Sequence, residues 1–296
     1  MTATTDKEGR TGSILVGYDG SMGSRVALDW AIEVAKRLDT SVTLLHCVTL
    51  ASVPAFPGYE PAEIIDSLEG VSRSVLAVGF ERATKALGED RVERINAIGS
   101  APAQLVDSSK DADFVVMGSR GRGRVLGGVL GSTAYTVTAH AHCPVIVIRT
   151  DREDGSVVTP LPGPGRRVVL GVDGSEESYH AIESAARFAQ TFGAPLHIVR
   201  VAESISMEAW AYAETARAGT ESAHAAHDQA SDTVDQARDH VLAAYPGVEV
   251  ETEVLYGDPG RTIAELATTA GLVVIGSRGR GGFAGLLLGS VSHTII

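Results

Sequence analysis

The sequence is poor in cysteine and in long apolar runs. Its two cysteines, Cys47 and Cys143, exclude a disulfide framework and are typical of a reducing compartment. No run approaches the ~18 consecutive apolar residues that a membrane helix needs. The N-terminus has no basic segment followed by an apolar one, as a signal peptide would. We therefore expect a soluble, cytoplasmic protein without a membrane partner.

Positive charge and aromatic residues are also scarce. The chain has 25 Lys and Arg against 37 Asp and Glu, a net charge of −12, which disfavours general binding to nucleic acids or anionic membranes. Aromatic residues, at 5%, do not interleave with the arginines as in a nucleic-acid-binding stripe. Glycine, by contrast, is abundant at 33 of 296 residues, which indicates many tight turns or close backbone approaches.

The chain contains an internal duplication. Ser13–Ser21 recurs as Arg167–Ser175, and Val115–Gly123 recurs as Val273–Gly281. A period this long indicates a duplicated domain rather than a solenoid repeat. Residues 151–165 combine charges with prolines and glycines and are predicted to be a linker. The predicted domains are therefore residues 1–150 and 166–296.

Each copy alternates short β-branched runs with helical patterns. In the first copy we predict strands at Ile14–Tyr18, Val42–Val48, Val92–Ile98, Phe114–Met117 and Val145–Arg149, and helices at Ser21–Leu38, Val71–Leu87, Pro102–Lys110 and Ser132–Ala141. Buried strands that alternate with helices predict an α/β fold, a doubly wound, Rossmann-like sheet of five parallel strands.

The second copy follows the same order from Val168. Its second helix is longer, over about Met207–Ala244, and the sequence stops at the counterpart of Thr138. The second sheet is therefore expected to lack its last strand. Either the sequence is truncated at this point or a partner supplies that edge.

The spacing of glycines is the same in both copies. Gly118, Gly121 and Gly131-Ser132 in the first copy correspond to Gly276, Gly279 and Gly289-Ser290 in the second. Each series begins where a buried strand ends and finishes where a helix begins, at the edge where doubly wound sheets bind ligands. Glycines there let backbone N–H groups converge on an anion, and the helix N-terminus suits a phosphate. Ordinary glycine-rich turns are the alternative interpretation. The same nine-residue gap between the second and third glycines of both copies favours a phosphate-binding loop.

Charged residues accompany these loops. The arginines within them are Arg120, Arg122, Arg124, Arg278 and Arg280. Asp19 and Asp173 each follow a first strand at the same predicted sheet edge. Each carboxylate has two interpretations: a hydrogen bond to a ribose hydroxyl or base amino group, or a turn that caps the next helix.

These motifs resemble those of the universal stress protein family over nearly the whole chain, as two tandem domains. Both copies match the pattern Gly-x2-Gly-x9-Gly-(Ser/Thr) of its ATP-binding subgroup. The resemblance implies that an aspartate after the first strand and a backbone group at the end of the second hold adenosine. It also implies that the glycine loop and its hydroxyl hold ribose and phosphates, often with a divalent cation such as Mg²⁺. Because the family's last strand often pairs across a dimer, it implies a homodimer as well.

The ATP-binding residues implied in the first copy are Gly17, Asp19, Cys47, Val48, Gly118, Ser119, Arg120, Gly121, Arg122, Gly123, Arg124, Gly131, Ser132 and Thr133. Those implied in the second copy are Gly171, Asp173, Arg200, Val201, Gly276, Ser277, Arg278, Gly279, Arg280, Gly281, Gly289, Ser290 and Val291. No catalytic residue and no metal-binding side chain are predicted, so Mg²⁺ is expected to bind through the phosphates.

The leading hypothesis is an ATP-binding regulator of the stress response or of growth, whose downstream protein partner the sequence does not identify. A slow ATPase or phosphotransferase is the alternative, although the glycine loop offers serine and arginine but no carboxylate near a γ-phosphate. A nucleotide-free dimerising scaffold is the third. His224, His227 and Asp228 share a helix face at metal-ligand spacing, but a solvated face is the preferred interpretation. Cys143 is expected to pack where its strand begins.

Overall fold

Short aliphatic and β-branched runs form the strands of two separate parallel sheets. The computed structural model describes residues 12–49, 61–121, 130–149, 161–202, 218–279 and 288–296, and at 61–64 and 218–225 it describes the backbone alone. The chain divides into two units, residues 1–159 and 160–296. Among the described helices, none is both long and apolar enough to cross a membrane.

The first unit alternates strands and helices in the predicted order. Its elements are β1 (Ser13–Gly17), α1 (Met22–Leu38), β2 (Ser41–Val48), α2 (Pro61–Leu87), β3 (Val92–Ile98), α3 (Ala101–Ser108), β4 (Phe114–Gly118), α4 (Ser132–His140) and β5 (Val145–Ile148). The five strands are parallel and lie in the order β3-β2-β1-β4-β5. The predicted doubly wound α/β sheet is confirmed.

The second unit repeats this arrangement with one strand fewer. Its elements are β6 (Val168–Gly171), α5 (Glu176–Phe192), β7 (Leu196–Ala202), α6 (Ala218–Ala244), β8 (Val250–Tyr256), α7 (Pro259–Ala267), β9 (Leu272–Ile275) and α8 (Ser290–Ile295). Within its described residues the sheet has four parallel strands, in the order β8-β7-β6-β9. The expected lack of a fifth strand is confirmed, and β9, unlike its buried counterpart β4, is half-exposed along its length.

The central strands are apolar because both of their faces are covered. Ile14, Leu15 and Val16 of β1 are at most 1% exposed, and Val168, Val169 and Leu170 of β6 are fully buried. The edge strand β3 is instead exposed over residues 93–96, of which all but Ile95 are polar. Continuous apolar runs therefore mark the strands at the centre of each sheet.

Helix α2 begins at Pro61, well before the predicted start at Val71. Proline suits the first turn of a helix, because its missing N–H has no partner to lose there. Gly70, a weak helix former, obscured the continuity in the sequence, yet the helix runs through it. For α6, the predicted residues 207–217 lie outside the described residues.

The end of the predicted linker is part of the second unit. Gly163 and Arg166 exchange two backbone hydrogen bonds of 3.0 and 2.9 Å, and the backbone of Pro162 packs next to Gly271. Residues 161–165 therefore form a closed turn against the sheet rather than a free linker. Residues 151–160 lie outside the described part of the chain.

The loops that follow β1 and β4 leave the sheet on opposite faces. Helix α1 packs with α2 on one face, whereas α3 and α4 pack together on the other. Leu105 of α3 and Val137 of α4 form a buried cluster there with Leu15 and Met117. Loops that diverge from two neighbouring strands leave a crevice at the carboxyl edge of the sheet. In the second unit the paired strands β6 and β9 are followed by α5 and α8 in the same way as β1 and β4 are followed by α1 and α4.

Two glycines of α2 provide a stability test with opposite expected signs. A Cβ atom at Gly79 would lie 2.8 Å from both the Leu44 side chain and the ring of the buried Tyr18, whereas one at Gly70 would meet nothing within 4 Å. We expect Gly79→Ala to lower the free energy of unfolding by about 1–3 kcal/mol through overpacking. Gly70→Ala should raise it by up to about 1 kcal/mol through helix propensity. Urea unfolding followed by circular dichroism measures both, and equal shifts of the same sign would contradict this packing.

Candidate functional site

Asp19 and Asp173 occupy the same position in the two units, just after β1 and β6. One oxygen of each carboxylate, Oδ1, accepts the backbone N–H of the serine two residues further on, at 3.0 Å for Ser21 and 2.9 Å for Ser175. Those serines in turn cap α1 and α5 through their hydroxyls. The turn-and-cap interpretation of both aspartates is therefore correct for one oxygen of each.

The other carboxylate oxygen faces the glycine loop. A Cβ atom on Gly121 would lie 2.7 Å from Asp19 Oδ2, and one on Gly279 would collide in the same way with Asp173 Oδ2. Observed Cβ contacts are essentially never this short, so a side chain at either glycine would have to displace the carboxylate. The fold thus places each aspartate against the loop glycine to which the sequence assigns the same site.

Each glycine loop is closed by one backbone hydrogen bond. Gly131 N–H donates to the carbonyl of Ser119 at 2.9 Å, and Gly289 N–H donates to that of Ser277 at 2.9 Å. At the start of the loops, a Cβ on Gly118 would lie 2.8 Å from the backbone of Gly23 in α1, and one on Gly276 would lie 3.0 Å from that of Glu177 in α5. The glycines therefore allow each loop to lie directly on the first turn of the first helix of its unit, α1 or α5.

Ser119, one of the implied ATP-binding residues, carries a buried hydroxyl. The side chain is 3% exposed, and within the described residues its Oγ has no hydrogen-bond partner. Burying a hydroxyl without a partner costs about 1–3 kcal/mol. A polar group supplied at the loop, from a ligand or from elsewhere in the chain, would remove that cost.

The ends of β2 and β7 present backbone groups to the same edge. Leu45 and Val199 accept N–H groups from the central strand, whereas Val48 and Ala202 accept them from the outer strand. The backbone groups of successive residues in a strand face opposite neighbouring strands. Those of Cys47 and Val201 therefore face the side of the central strand, past the last hydrogen bond that β2 and β7 accept from it. Those of Val48 and Arg200 face the outer strand, so only one predicted residue of each pair presents its backbone to the crevice.

The remaining predicted residues fall into three groups. Ser132 and Ser290 are exposed at the first residue of α4 and α8, followed by the half-buried Thr133 and Val291. Gly17 and Gly171 instead pack under apolar side chains: a Cβ there would lie 3.4 Å from Leu105 and 3.0 Å from Ile263. Their lack of a side chain is thus explained by helix packing. Arg122, Gly123, Arg124, Arg280 and Gly281 lie outside the described residues.

In the second unit a loop arginine lies beside an acidic side chain. Arg278 Nη2 lies 3.2 Å from Glu177 Oε1, a carboxylate in the first turn of α5. The corresponding position in α1, two residues after the capping serine, is Gly23. Sequence reasoning missed Glu177, although an alignment of the two copies at the capping serines would have shown the difference.

The two cysteines and His227 contact other parts of the fold, whereas the side chain of His224 lies outside the described residues. Burial raises the pKa of Cys143 to about 11, and it raises the pKa of Cys47 as well. Both thiols are therefore protonated at neutral pH, and Cys143 packs against the core cluster as predicted. His227 is exposed, with Nδ1 2.6 Å from the Tyr256 hydroxyl. Among the described residues no cluster of His, Cys, Asp and Glu could hold a metal ion.

A shallow apolar groove lies beside the first site rather than in it. It encloses about 630 Å³ between the β1–α1 turn and α2, with Tyr18, Arg25, Val71 and Val78 in its walls. None of the glycine-loop residues that the structure describes lines it. The groove is therefore distinct from the contact between Asp19 and Gly121.

Comparison with known proteins agrees with this architecture. The model of the universal stress protein family matches residues 11–149 and 165–296. Universal stress protein Rv2005c of Mycobacterium tuberculosis is 32% identical over 288 residues, 96% of this chain and 92% of that protein. Universal stress protein Rv2623 of the same organism is 31% identical over 295 residues, which cover 95% of this chain and 92% of that protein. A crystal structure of a universal stress protein from Archaeoglobus fulgidus matches with a TM-score of 0.65 and 22% identity over 97% of this chain and 92% of that one. The chain belongs to the universal stress protein family and carries two of its domains in tandem.

Proposed function

We propose that each unit binds one ATP at its glycine loop and that the bound nucleotide regulates the protein's interactions in the stress response. One observation carries the proposal: in both units an aspartate after the first strand lies against the second glycine of the loop. Two independent loops that preserve this contact, at the ligand-binding edge of a doubly wound sheet, are better explained by a shared ligand than by turn formation alone.

The groups around each crevice suit the parts of a nucleotide. The loop glycines and the N-termini of α4 and α8 offer backbone N–H groups to phosphates. The hydroxyl of Ser119, which has no hydrogen-bond partner in the described part of the chain, adds a donor in the first unit. The backbone groups of Cys47 or Val201 that face the crevice would contact the base. Asp19 and Asp173 would reach a ribose hydroxyl or a base amino group through Oδ2.

Charge balance makes a cation part of the proposal. ATP brings about four negative charges to a chain whose own net charge is −12. The loop arginines offset a part of this, and Mg²⁺ bound through the phosphates would offset more. We further propose a homodimer in the cytoplasm, supported by the partly exposed outer strand β5, since edge strands pair readily with other strands.

Substitution of the loop glycines tests the two sites separately. Gly121→Glu and Gly279→Glu should each abolish one site, because the side chain would displace Asp19 or Asp173 and its carboxylate would repel both that aspartate and the phosphates. The parent should bind about two ATP per chain, each single variant about one, and the double variant none. Calorimetric titration of nucleotide-stripped protein measures the stoichiometry, and phosphate release in the same samples reports any slow hydrolysis.

Matched controls separate this effect from a general change in charge. Gly70→Glu and Gly247→Glu add the same carboxylate where a Cβ meets nothing within 4 Å, and both should keep two sites. Circular dichroism verifies that each variant folds. A folded double variant that still binds two ATP would contradict the glycine-loop proposal.

A second test addresses the phosphates. Arg120→Ala, or removal of divalent cations with a chelator, should weaken ATP binding to the first site by at least about tenfold, since both remove charge-assisted contacts. Arg37→Ala is the control: it removes one positive charge at the far end of α1, where Arg37 pairs with Glu33. If neither arginine loss nor chelation alters the affinity, the phosphates are not held at this loop.

A further inference from the structure

The apolar groove beside the first site is lined by residues whose counterparts in the second unit are polar. Helices α2 and α6 align through their buried residues, Leu76 with Val234 and Ala83 with Val241. In this alignment the three valines of α2 that line the groove correspond to polar residues of α6: Val71 to Gln229, Val75 to Thr233 and Val78 to Gln236. The fold accepts polar residues at these positions, so it does not by itself require the valines.

The second unit also bridges the two helices at the place where the first unit has its groove. Tyr179 of α5 donates its hydroxyl to Gln236 Oε1 of α6 at 3.1 Å. Alignment of the helices at their capping serines makes Arg25 the counterpart of Tyr179, and Val78 is the counterpart of Gln236. Both Arg25 and Val78 line the groove. Because valine has no polar group in its side chain, this bridge cannot form, and the groove stays open.

Arg25 supplies the positive charge of the groove. Its Nε–H donates to the carbonyl of Gly20 at 3.0 Å, which holds the guanidinium at the turn after β1. In the part of the chain that the structure describes, Arg25 has no carboxylate partner, whereas Arg73 of α2 pairs with Glu69 at 3.2 Å. Asp19, next to Gly20, directs its carboxylate to the glycine loop instead. The groove therefore combines an apolar wall with one cation.

The size of the groove suits a small molecule better than a protein. Its volume of about 630 Å³ lies within the usual range of ligand sites, about 300–1,000 Å³. Eight residues line it, whereas each side of a standard protein interface takes about 20–30 residues. The valines form one stripe about 10 Å long on α2. Val71 and Val78 are 52% and 58% exposed, which leaves apolar surface for a ligand to cover.

We propose that this groove binds an aliphatic carboxylate, whose hydrocarbon chain lies along Val71, Val75 and Val78 and whose carboxylate pairs with Arg25. Burial of the chain supplies most of the affinity, since each CH₂ removed from water contributes up to about fourfold. The guanidinium selects an anionic head group. The site is separate from the glycine loops and does not rest on the ATP proposal.

A series of chain lengths tests the site directly. Hexanoate, octanoate and decanoate are titrated into protein with ¹³C-labelled valine methyl groups and followed by NMR. Affinity should rise by about two- to fourfold per CH₂, with decanoate bound at about 1 mM or tighter. The methyl signals of Val71, Val75 and Val78 should shift most. If decanoate shifts none of them at up to about 10 mM, the proposal is wrong.

The second unit provides substitutions that the fold already accepts. A triple variant with Val71→Gln, Val75→Thr and Val78→Gln gives α2 the residues of α6, and it should weaken decanoate binding at least about tenfold because the stripe becomes polar. Arg25→Tyr combined with Val78→Gln should rebuild the bridge of the second unit and close the groove. Broadening of the decanoate signals measures binding to these variants. Binding to either variant that equals binding to the parent would overturn the proposal.

The charge is tested separately from the apolar stripe. Arg25→Gln should weaken octanoate binding about fivefold and change the affinity for octan-1-ol, which has no charge, by less than about twofold. Arg73→Gln is the matched control: it removes the same charge from an exposed residue of α2 that does not line the groove, and octanoate affinity should stay the same. Equal effects of the two substitutions, or equal effects of Arg25→Gln on the acid and the alcohol, would overturn the assignment of a carboxylate ligand.

The groove and the ATP site can fail independently. Gly121→Glu should abolish ATP binding at the first loop and keep decanoate binding, whereas the triple valine variant should keep both ATP sites. Circular dichroism verifies that each variant folds. Competition between ATP and decanoate in the first unit would place the carboxylate at the glycine loop and overturn the groove assignment. If decanoate binds and ATP does not, the groove assignment stands and the proposed function fails.

Discussion

The candidate sites depend on how closely the first and fourth strands of each sheet approach at their carboxyl ends. Gly17 pairs with Met117 in the first sheet, and Gly171 pairs with Ile275 in the second. The two loops therefore leave the sheet at the same level but on opposite faces. Backbone must approach backbone there, which is why glycine recurs at Gly118 and Gly276. The contact between aspartate and loop glycine follows from that approach.

Duplication of this scaffold has left the geometry intact and changed the charge around it. Loop closure, serine caps and aspartate turns recur with nearly equal hydrogen-bond lengths in both units. The first turn of the following helix has changed in residue type, although it packs on the start of the glycine loop in both units. Gly23 and Glu177 differ at that position, next to the loop.

Several residues illustrate how far reasoning from residue types and spacing extends. The order of elements and the position of the loops followed from periodicity, since buried parallel strands leave a plain apolar signal. The start of α2 did not, because Gly70 resembles a break and the sequence does not show that the helix continues through it. Gly17 and Gly171 were assigned to the ligand, yet Leu105 and Ile263 pack over them. At the end of a strand, alternate residues direct their backbone groups to alternate neighbouring strands. Whether Cys47 or Val48 faces the crevice therefore depends on the hydrogen-bond register, which the sequence does not reveal.

The sequence by itself determined the duplicated α/β fold and the two loops, because these depend on local periodicity and on spacing along the chain. Only the tertiary structure decided which groups meet. It set Asp19 against Gly121, left the hydroxyl of Ser119 without a partner among the described residues, and brought Glu177 to Arg278. Those contacts join segments that lie far apart in the chain. Their distances follow from strand register and helix packing, which no local pattern of residues encodes.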